Sequence, residues 1–234
     1  MSGARGGVIL DGIELVIFDF DGVLVDSEVI SARMLVAELA RHDIHVDLAY
    51  IARHFLGRSY PVVLAQIRAE FGIELPEGFE ATYRARLLAA FEQELVIMPG
   101  VRAVLERMVV PFCIATSSSE ERVLSSMRLV GLGAVFGTRF TTASEVKRGK
   151  PAPDLFLRAA EKAGVAPERC LVIEDSLPGI RGALAAGMQV WHFRGGSHLV
   201  GLDLTAELKV APQCHFAHFD ELPHLAPGLF RADA

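Results

Sequence analysis

Four short, near-continuous apolar runs recur along the chain: ELVIFDF (14–20), PFCIATS (111–117), CLVIED (170–175) and QVWHF (189–193). A strand that is apolar at almost every position has both faces covered, as strands of a parallel sheet do between two layers of helices. The segments around the later runs have helical spacing: GVRAVLERM (100–108), SEERVLSSMRLVG (119–131), APDLFLRAAEKAG (152–164) and LPGIRGALAAG (177–187). Pro153 stands near a helix start, and Gly131, Gly164 and Gly187 stand near helix ends, which is ordinary helix punctuation. Strand and helix in alternation predict an α/β fold with a doubly wound parallel sheet.

One interval breaks the alternation. From 27 to 98 the chain reads helix after helix, in SEVISARMLVAELARH, LAYIARHFL, YPVVLAQIRAEFG and EGFEATYRARLLAAFEQEL, with no convincing strand between them. The economical reading is an all-helical insertion after the first strand, residues 27–98, set into a Rossmann-like core built from 13–26 and 99–226. HFAHFDELPHL (215–225) predicts one last short strand and a turn of helix. GLGAVFG (131–137) follows a helix instead of joining a strand to a helix, so it fails the context of a dinucleotide-binding loop and reads as a helix stop and a loop.

Composition narrows the function. With 51% hydrophobic and 22% charged residues, the 234-residue chain has ample material for a core. A net charge of −6 without a basic stripe argues against a nucleic-acid or anionic-membrane surface. The three cysteines, Cys113, Cys170 and Cys214, form no CxxC pair, and the first two sit in strand-like runs; they read as buried thiols in a reducing compartment. MSGARGGVIL has no apolar stretch long enough for a signal peptide, and no run reaches membrane-spanning length. A cytoplasmic monomer with a short disordered N-terminus is expected.

Polar residues then stand at strand ends that do not need them. The first strand ends in Asp19 with Asp21 beyond it, the second in Thr116 and Ser117, and the third in Glu174 and Asp175; KRGKPAPD places Lys150 ahead of a helix. In an open parallel sheet, ligands bind in the crevice outside the carboxyl ends of the strands, so all of these groups converge on one place. Asp19, Asp21, Glu174 and Asp175 can hold a hard divalent cation through oxygen, with Mg²⁺ favoured, and no His or Cys cluster competes for zinc or copper. Lys150 and the Thr116 hydroxyl suit a phosphate, as a point cation and a donor. Together these parts describe phosphoryl transfer through an aspartyl-phosphate: one aspartate attacks phosphorus, and the other protonates the leaving alkoxide and later deprotonates water.

The same residues resemble the haloacid dehalogenase superfamily. DFDGVLVDSE is similar to its first motif, DxDGx[LV]xDS; IATSS resembles the second, GKPAPD the third and IEDSLPGIRGALAAGM the fourth, in order and over nearly the whole chain. The resemblance implies Asp19 as nucleophile and metal ligand. It implies Asp21 as general acid/base, offering its backbone carbonyl to Mg²⁺. Thr116, Ser117 and Lys150 would bind the phosphoryl group, Asp175 would complete the metal site with Glu174 beside it, and the helical insertion would be a small mobile cap. Within the superfamily the chain looks most like the β-phosphoglucomutase-like branch, which includes many sugar-phosphate phosphatases. Specificity is expected in the cap loop FLGRSY, at Gly57, Arg58 and Ser59, with Arg84 and Arg86 next in line.

The expected activity is therefore Mg²⁺-dependent hydrolysis of a small phosphorylated metabolite, a sugar phosphate or sugar-acid phosphate. The alternative is a β-phosphoglucomutase-type mutase. Mutases of that branch carry a His five residues after the Asp of the DS pair, where this chain, counted from Asp26, has Ser31. A dehalogenase has no leaving alkoxide to protonate, which leaves Asp21 without a task. A receiver domain is about half this length and lacks the insertion. The DxDG spacing also disfavours the receiver domain.

Overall fold

The computed structural model describes residues 12–55, 58, 60–200 and 211–231. Strand β1 (Leu15–Phe18) is followed by four helices, α1 (Glu28–Ala40), α2 (Leu48–His54), α3 (Tyr60–Phe71) and α4 (Phe79–Glu94). Then come α5 (Val101–Arg107), β2 (Phe112–Thr116), α6 (Glu120–Leu129), α7 (Gly133–Phe136) and β3 (Phe140–Thr142). The chain continues through α8 (Asp154–Ala163), β4 (Cys170–Glu174), α9 (Leu177–Ala185), β5 (Gln189–Phe193), β6 (Cys214–Phe216) and α10 (Leu222–Leu225). The strands form one parallel sheet in the order β3-β2-β1-β4-β5-β6.

That order places the topological switch between β1 and β4, the position at which an α/β sheet opens a ligand crevice. Phe18 of β1 lies beside Ile173 of β4, so the residues that follow each strand emerge next to one another. Alternate residues of β1 serve opposite faces: Val16 and Phe18 pack in one core cluster with Trp191 and Phe219, and Leu15 and Ile17 in another with Val172 and Phe156. Every residue of β1 is buried, which explains why its sequence shows no polar alternation. The helices α1–α4 bury a separate cluster that includes Leu39, Ile67, Leu87 and Phe91.

The α/β class with its parallel sheet and helical insertion matches the expectation; two local details differ. Strand β3, FTT, has three residues, two of them threonines, and a run that short carries no apolar signal of its own. It forms because Ile114, Ala115 and Thr116 offer it a ladder. The stretch after Gly131 contains a four-residue helix, α7, in place of a plain loop, because Phe136 is drawn into the core. The N-terminal segment expected to be disordered lies outside the described residues, and no helix among the described residues is long and apolar enough to cross a membrane.

Burial pushes the Cys113 thiol up to about 12 and the Cys170 thiol up to about 11, so neither supplies much thiolate near neutrality. A thiol reagent applied to the native protein at about pH 8 should leave both unmodified while Cys214, partly exposed, reacts first. Intact-protein mass after brief labelling checks this, and three fast adducts would contradict it.

Candidate active site

The site grows out of the turn that ends β1. The Asp19 N–H donates to the Ile173 carbonyl at 2.9 Å, extending the β1–β4 ladder by one residue and aiming the next positions at the crevice. The turn then needs Gly22 at φ +80°, where a Cβ would stand 1.9 Å from Asp175 Oδ2. Glycine is required here both by the left-handed backbone and by the carboxylate packed on it.

Asp19, Glu174 and Asp175 are all buried, and one ligand atom from each lies within 4.8 Å of the others. Lys150 Nζ sits between two of them, 2.8 Å from Asp19 Oδ1 and 2.6 Å from Glu174 Oε1, and is itself only 4% exposed. Burial drives the Asp19 carboxyl well above the usual range; Lys150 opposes this, while Glu174 and Asp175 add to it. Burial and then the neighbouring Glu174 do the same to Asp175. Three carboxylates face one ammonium, an imbalance that a divalent cation would correct. The donors are all oxygen, and the buried Asp175 Oδ2 has no aligned hydrogen bond, so the residues present fit such an ion. Glu174 is the most constrained of the three. Its Oε2 accepts from the Ser176 N–H at 2.6 Å and the Ser176 hydroxyl at 3.0 Å, and a Cβ at Gly179 would fall 1.6 Å from its Oε1.

The Asp21 side chain is outside that cluster and belongs to a second network. Its Oδ1 accepts from Ser27 Oγ at 2.7 Å and Arg122 Nη2 at 2.5 Å, and its Oδ2 accepts from Ser118 Oγ at 2.6 Å and Thr116 Oγ1 at 3.4 Å. Burial would raise this carboxyl, but Arg122 and the hydroxyl donors of Ser118 and Ser27 outweigh it and hold Asp21 below the usual range. Arg122 also donates to Ser31 Oγ in α1 at 3.0 Å and lies 5.1 Å from the Phe91 ring in α4, so it joins α6 to the helical insertion. Glu28, at the start of α1, is pushed up to about 7 by its protein surroundings and by the charge of Asp21.

A cavity of about 610 Å³ opens between the carboxyl end of the sheet and the inserted helices. Asp19, Asp21, Thr116 and Ser117 line it from the sheet side, and Arg58, Tyr60 and Arg84 from the insertion. Of the expected specificity residues, Gly57 and Ser59 lie outside the described residues. Arg58 lines the cavity and donates to Gln66 Oε1 at 2.9 Å. Arg84 shares the wall and pairs with Glu80, whereas Arg86 is turned to the buried Glu38.

The structure thus brings Asp19, Lys150, Glu174 and Asp175 into one contact network and sets Asp21 and Thr116 beside it. Reading the sequence did not single out Ser27, Glu28, Ser118, Arg122 or His198 as site residues. Arg122 did carry a signal, three positions after the N-cap Ser119 and therefore at the crevice end of α6. His198, 3.0 Å from Asp175, lies beyond the carboxyl end of β5, where loops of such sheets face ligands.

A family model described as haloacid dehalogenase-like hydrolase matches residues 13–187, a span that holds both acidic strand ends and the lysine. This chain belongs to that family. The hydrolase is 30% identical over 214 residues to 6-phosphogluconate phosphatase of Escherichia coli (strain K12), covering 91% of this chain and 94% of that one. It is 36% identical over 188 residues to hexitol phosphatase A of the same organism, covering 74% and 80%. Among solved structures it is similar to a HAD family hydrolase from Deinococcus radiodurans R1 crystallised with bound phosphate and sodium, with 34% identity and a TM-score of 0.73 over 95% of this chain and 99% of that one. Family, fold and aspartate cluster together make this hydrolase a phosphatase of the haloacid dehalogenase type.

Proposed function

We propose that this phosphatase hydrolyses a small sugar phosphate or sugar-acid phosphate through an aspartyl-phosphate on Asp19, with Mg²⁺ as its cation. The observation that carries the reading is the buried contact of Lys150 with Asp19 and Glu174, with Asp19 lining a cavity whose wall from the insertion carries Arg58 and Arg84. Asp19 and Asp175 would hold the cation with the Asp21 backbone carbonyl, and Glu174 beside them. When bound, the cation neutralises charge on the phosphoryl oxygens and on the nucleophile.

In this scheme Lys150 Nζ, with the Thr116 and Ser117 hydroxyls, orients the phosphoryl group. An Asp19 oxygen forms the new bond to phosphorus while the ester P–O bond breaks, and the leaving alkoxide takes a proton from Asp21. A water then attacks phosphorus, giving its proton to Asp21, and the Asp19–phosphorus bond breaks to release phosphate. Arg122 favours the charged form of Asp21, which is the form needed to accept the proton from water. To act as the acid in the first half, Asp21 must turn away from Arg122. Residues 27–98 serve as the cap over a core of 13–26 and 99–226, and Arg122, which touches both, senses whether the cap is closed.

Ser31 favours water over a sugar hydroxyl as the final acceptor. It stands where mutases of the resembling branch carry a histidine, and here its hydroxyl is occupied, accepting from Arg122 and donating to the Ser27 carbonyl at 2.9 Å. The mixed sugar-acid and hexitol phosphatase names among the relatives support a polyhydroxylated substrate, and Arg58 and Arg84 would suit one with a carboxylate.

The test is phosphate release from a panel of sugar, sugar-acid and polyol phosphates, 6-phosphogluconate included, with β-glucose 1-phosphate plus a trace of the 1,6-bisphosphate run alongside. Preferred hydrolysis of one class supports the reading; accumulation of glucose 6-phosphate with little free phosphate would replace it by the mutase. Activity should vanish with EDTA, return with Mg²⁺ and return poorly with Ca²⁺, whose longer bonds and higher ligand number misplace nucleophile and phosphorus. Full activity in EDTA would remove the cation from the scheme. Arg58→Ala should raise KM for the best substrate far more than for a small generic phosphate ester. Equal effects on both would move the specificity role to Arg84.

A further inference from the structure

The loop after β5 seats His198 against Asp175, and the scheme above gives that histidine no task. His198 Nε2 stands 3.0 Å from Asp175 Oδ2, each side chain 3% exposed. That oxygen and both ring nitrogens make no aligned hydrogen bond to any group, so Nε2 and Oδ2 are each free to pair with the other across this short gap. Two glycines make the fit possible. A Cβ at Gly22 would lie 2.8 Å from His198 Cε1 as well as against Asp175, and one at Gly196 would lie 2.4 Å from the same ring carbon. The Cε1–Nδ1 edge of the ring therefore packs where side chains at Gly22 and Gly196 would otherwise stand.

The neighbouring residue ties this loop to the helical insertion. Ser197 donates to Asp26 Oδ1 from its hydroxyl at 2.7 Å and from its N–H at 3.3 Å. Asp26 stands just before α1, where the chain leaves the β1 turn for the inserted helices. One three-residue helical turn, Ser197–Leu199, thus touches a carboxylate of the cation site and the connection to the insertion.

We infer that His198 is a positioning residue for the divalent cation, its Nε2–H holding Asp175 Oδ2 so that the carboxylate's remaining lone pairs point at the ion. Ser197 is the strap that keeps the ring in place by fixing the loop to Asp26. This rests on the reading that Asp19 and Asp175 bind the cation. Groups that hydrogen-bond a metal ligand fix its orientation, and losing one typically weakens metal binding by about 10–100-fold.

The experiment is Mn²⁺ binding to the purified protein, followed by electron paramagnetic resonance of the free ion and, for Mg²⁺, by calorimetry. The native protein is compared with His198→Ala, His198→Asn, His198→Gln and Ser197→Ala, each checked for a native circular dichroism spectrum. His198→Ala and His198→Asn should bind Mn²⁺ about 10–100-fold more weakly. His198→Gln, whose amide N–H reaches as far as the imidazole Nε2–H, should recover most of the affinity, and Ser197→Ala should lose part of it. Unchanged affinity in His198→Ala and His198→Asn overturns the inference. So does a His198→Gln variant as weak as His198→Ala, since the ring would then matter only as packing. If the alanine variant does not fold, the Asn and Gln variants decide alone, equal affinities overturning the proposal. Absence of Mn²⁺ binding by the native protein would instead refute the cation reading on which it rests.

Discussion

Asp19→Asn should leave a folded protein without turnover. An amide is a poor nucleophile and a weaker ligand for a hard cation, so the bond to phosphorus is not made. Loss of a covalent nucleophile in other enzymes costs more than about 10⁴-fold in kcat, and a loss on that scale is expected here. Stability should move the other way or not at all. Asp19 lies buried with Glu174 and Asp175, and its charge is disfavoured by burial and by both neighbours, so an uncharged isostere relieves repulsion. Lys150 retains Glu174 as a partner at 2.6 Å. Phosphate release and a thermal melt on the same preparation make the comparison. A kcat like the native enzyme's would sink the covalent mechanism, and a collapsed melting temperature would show that Asp19 is needed for the fold.

Lys150→Met is expected to be damaging in both respects. Lys150 is buried between Asp19 and Glu174, and although burial lowers the affinity of its amine for a proton, the two carboxylates raise it further, so the charge is secure at neutral pH. Removing one partner of a buried ion pair leaves uncompensated charge and costs about 3–5 kcal/mol. In a domain of this size each kcal/mol shifts the melting temperature by roughly 2–4 °C, which predicts a drop of roughly 6–20 °C. The pH dependence has a definite sign. The raised lysine contributes fully at every pH below its ordinary value, so the whole difference is present at neutral pH. As pH falls, Asp19 and Asp175, already raised, take up protons, and the gap between native and variant should narrow. Saturating Mg²⁺ should narrow it too, by supplying positive charge to the same carboxylates. Equal melting temperatures at neutral pH would mean that the Lys150 contacts carry no stabilisation. Turnover should fall with the loss of the phosphoryl-orienting cation, and a native-like kcat would reassign that role.

Much of this could be read directly from the order of residues. Buried parallel strands announce themselves because burial on both faces demands apolar residues along their length, as in LVIF and in the CLVI of β4. Acidic residues at the ends of such strands stand out because nothing in the strand needs them, and that contrast made Asp19, Asp21, Glu174 and Asp175 legible. Lys150 was legible through its place before the α8 helix. Strand β3 was not, because a partner strand rather than its own three residues makes it form.

The less legible parts are contacts between distant segments. Arg122 on an α-helix surface looks like any solvated arginine until topology carries it to Asp21, 101 positions away in sequence. His198 gains meaning only from the glycine backbone at Gly22 and Gly196 that lets its ring reach Asp175. Local sequence determined the elements, the order in which they occur and the chemical kinds placed at their ends, because hydrophobic periodicity and strand-end polarity are properties of neighbouring residues. Only the tertiary structure decided that Lys150 bridges Asp19 and Glu174, that Arg122 holds Asp21 against the helical insertion, and that one loop ties the Asp26 connection to Asp175. A charge–charge contact at hydrogen-bond distance depends on where the packing of the sheet and helices sets each backbone, and no short stretch of sequence records that.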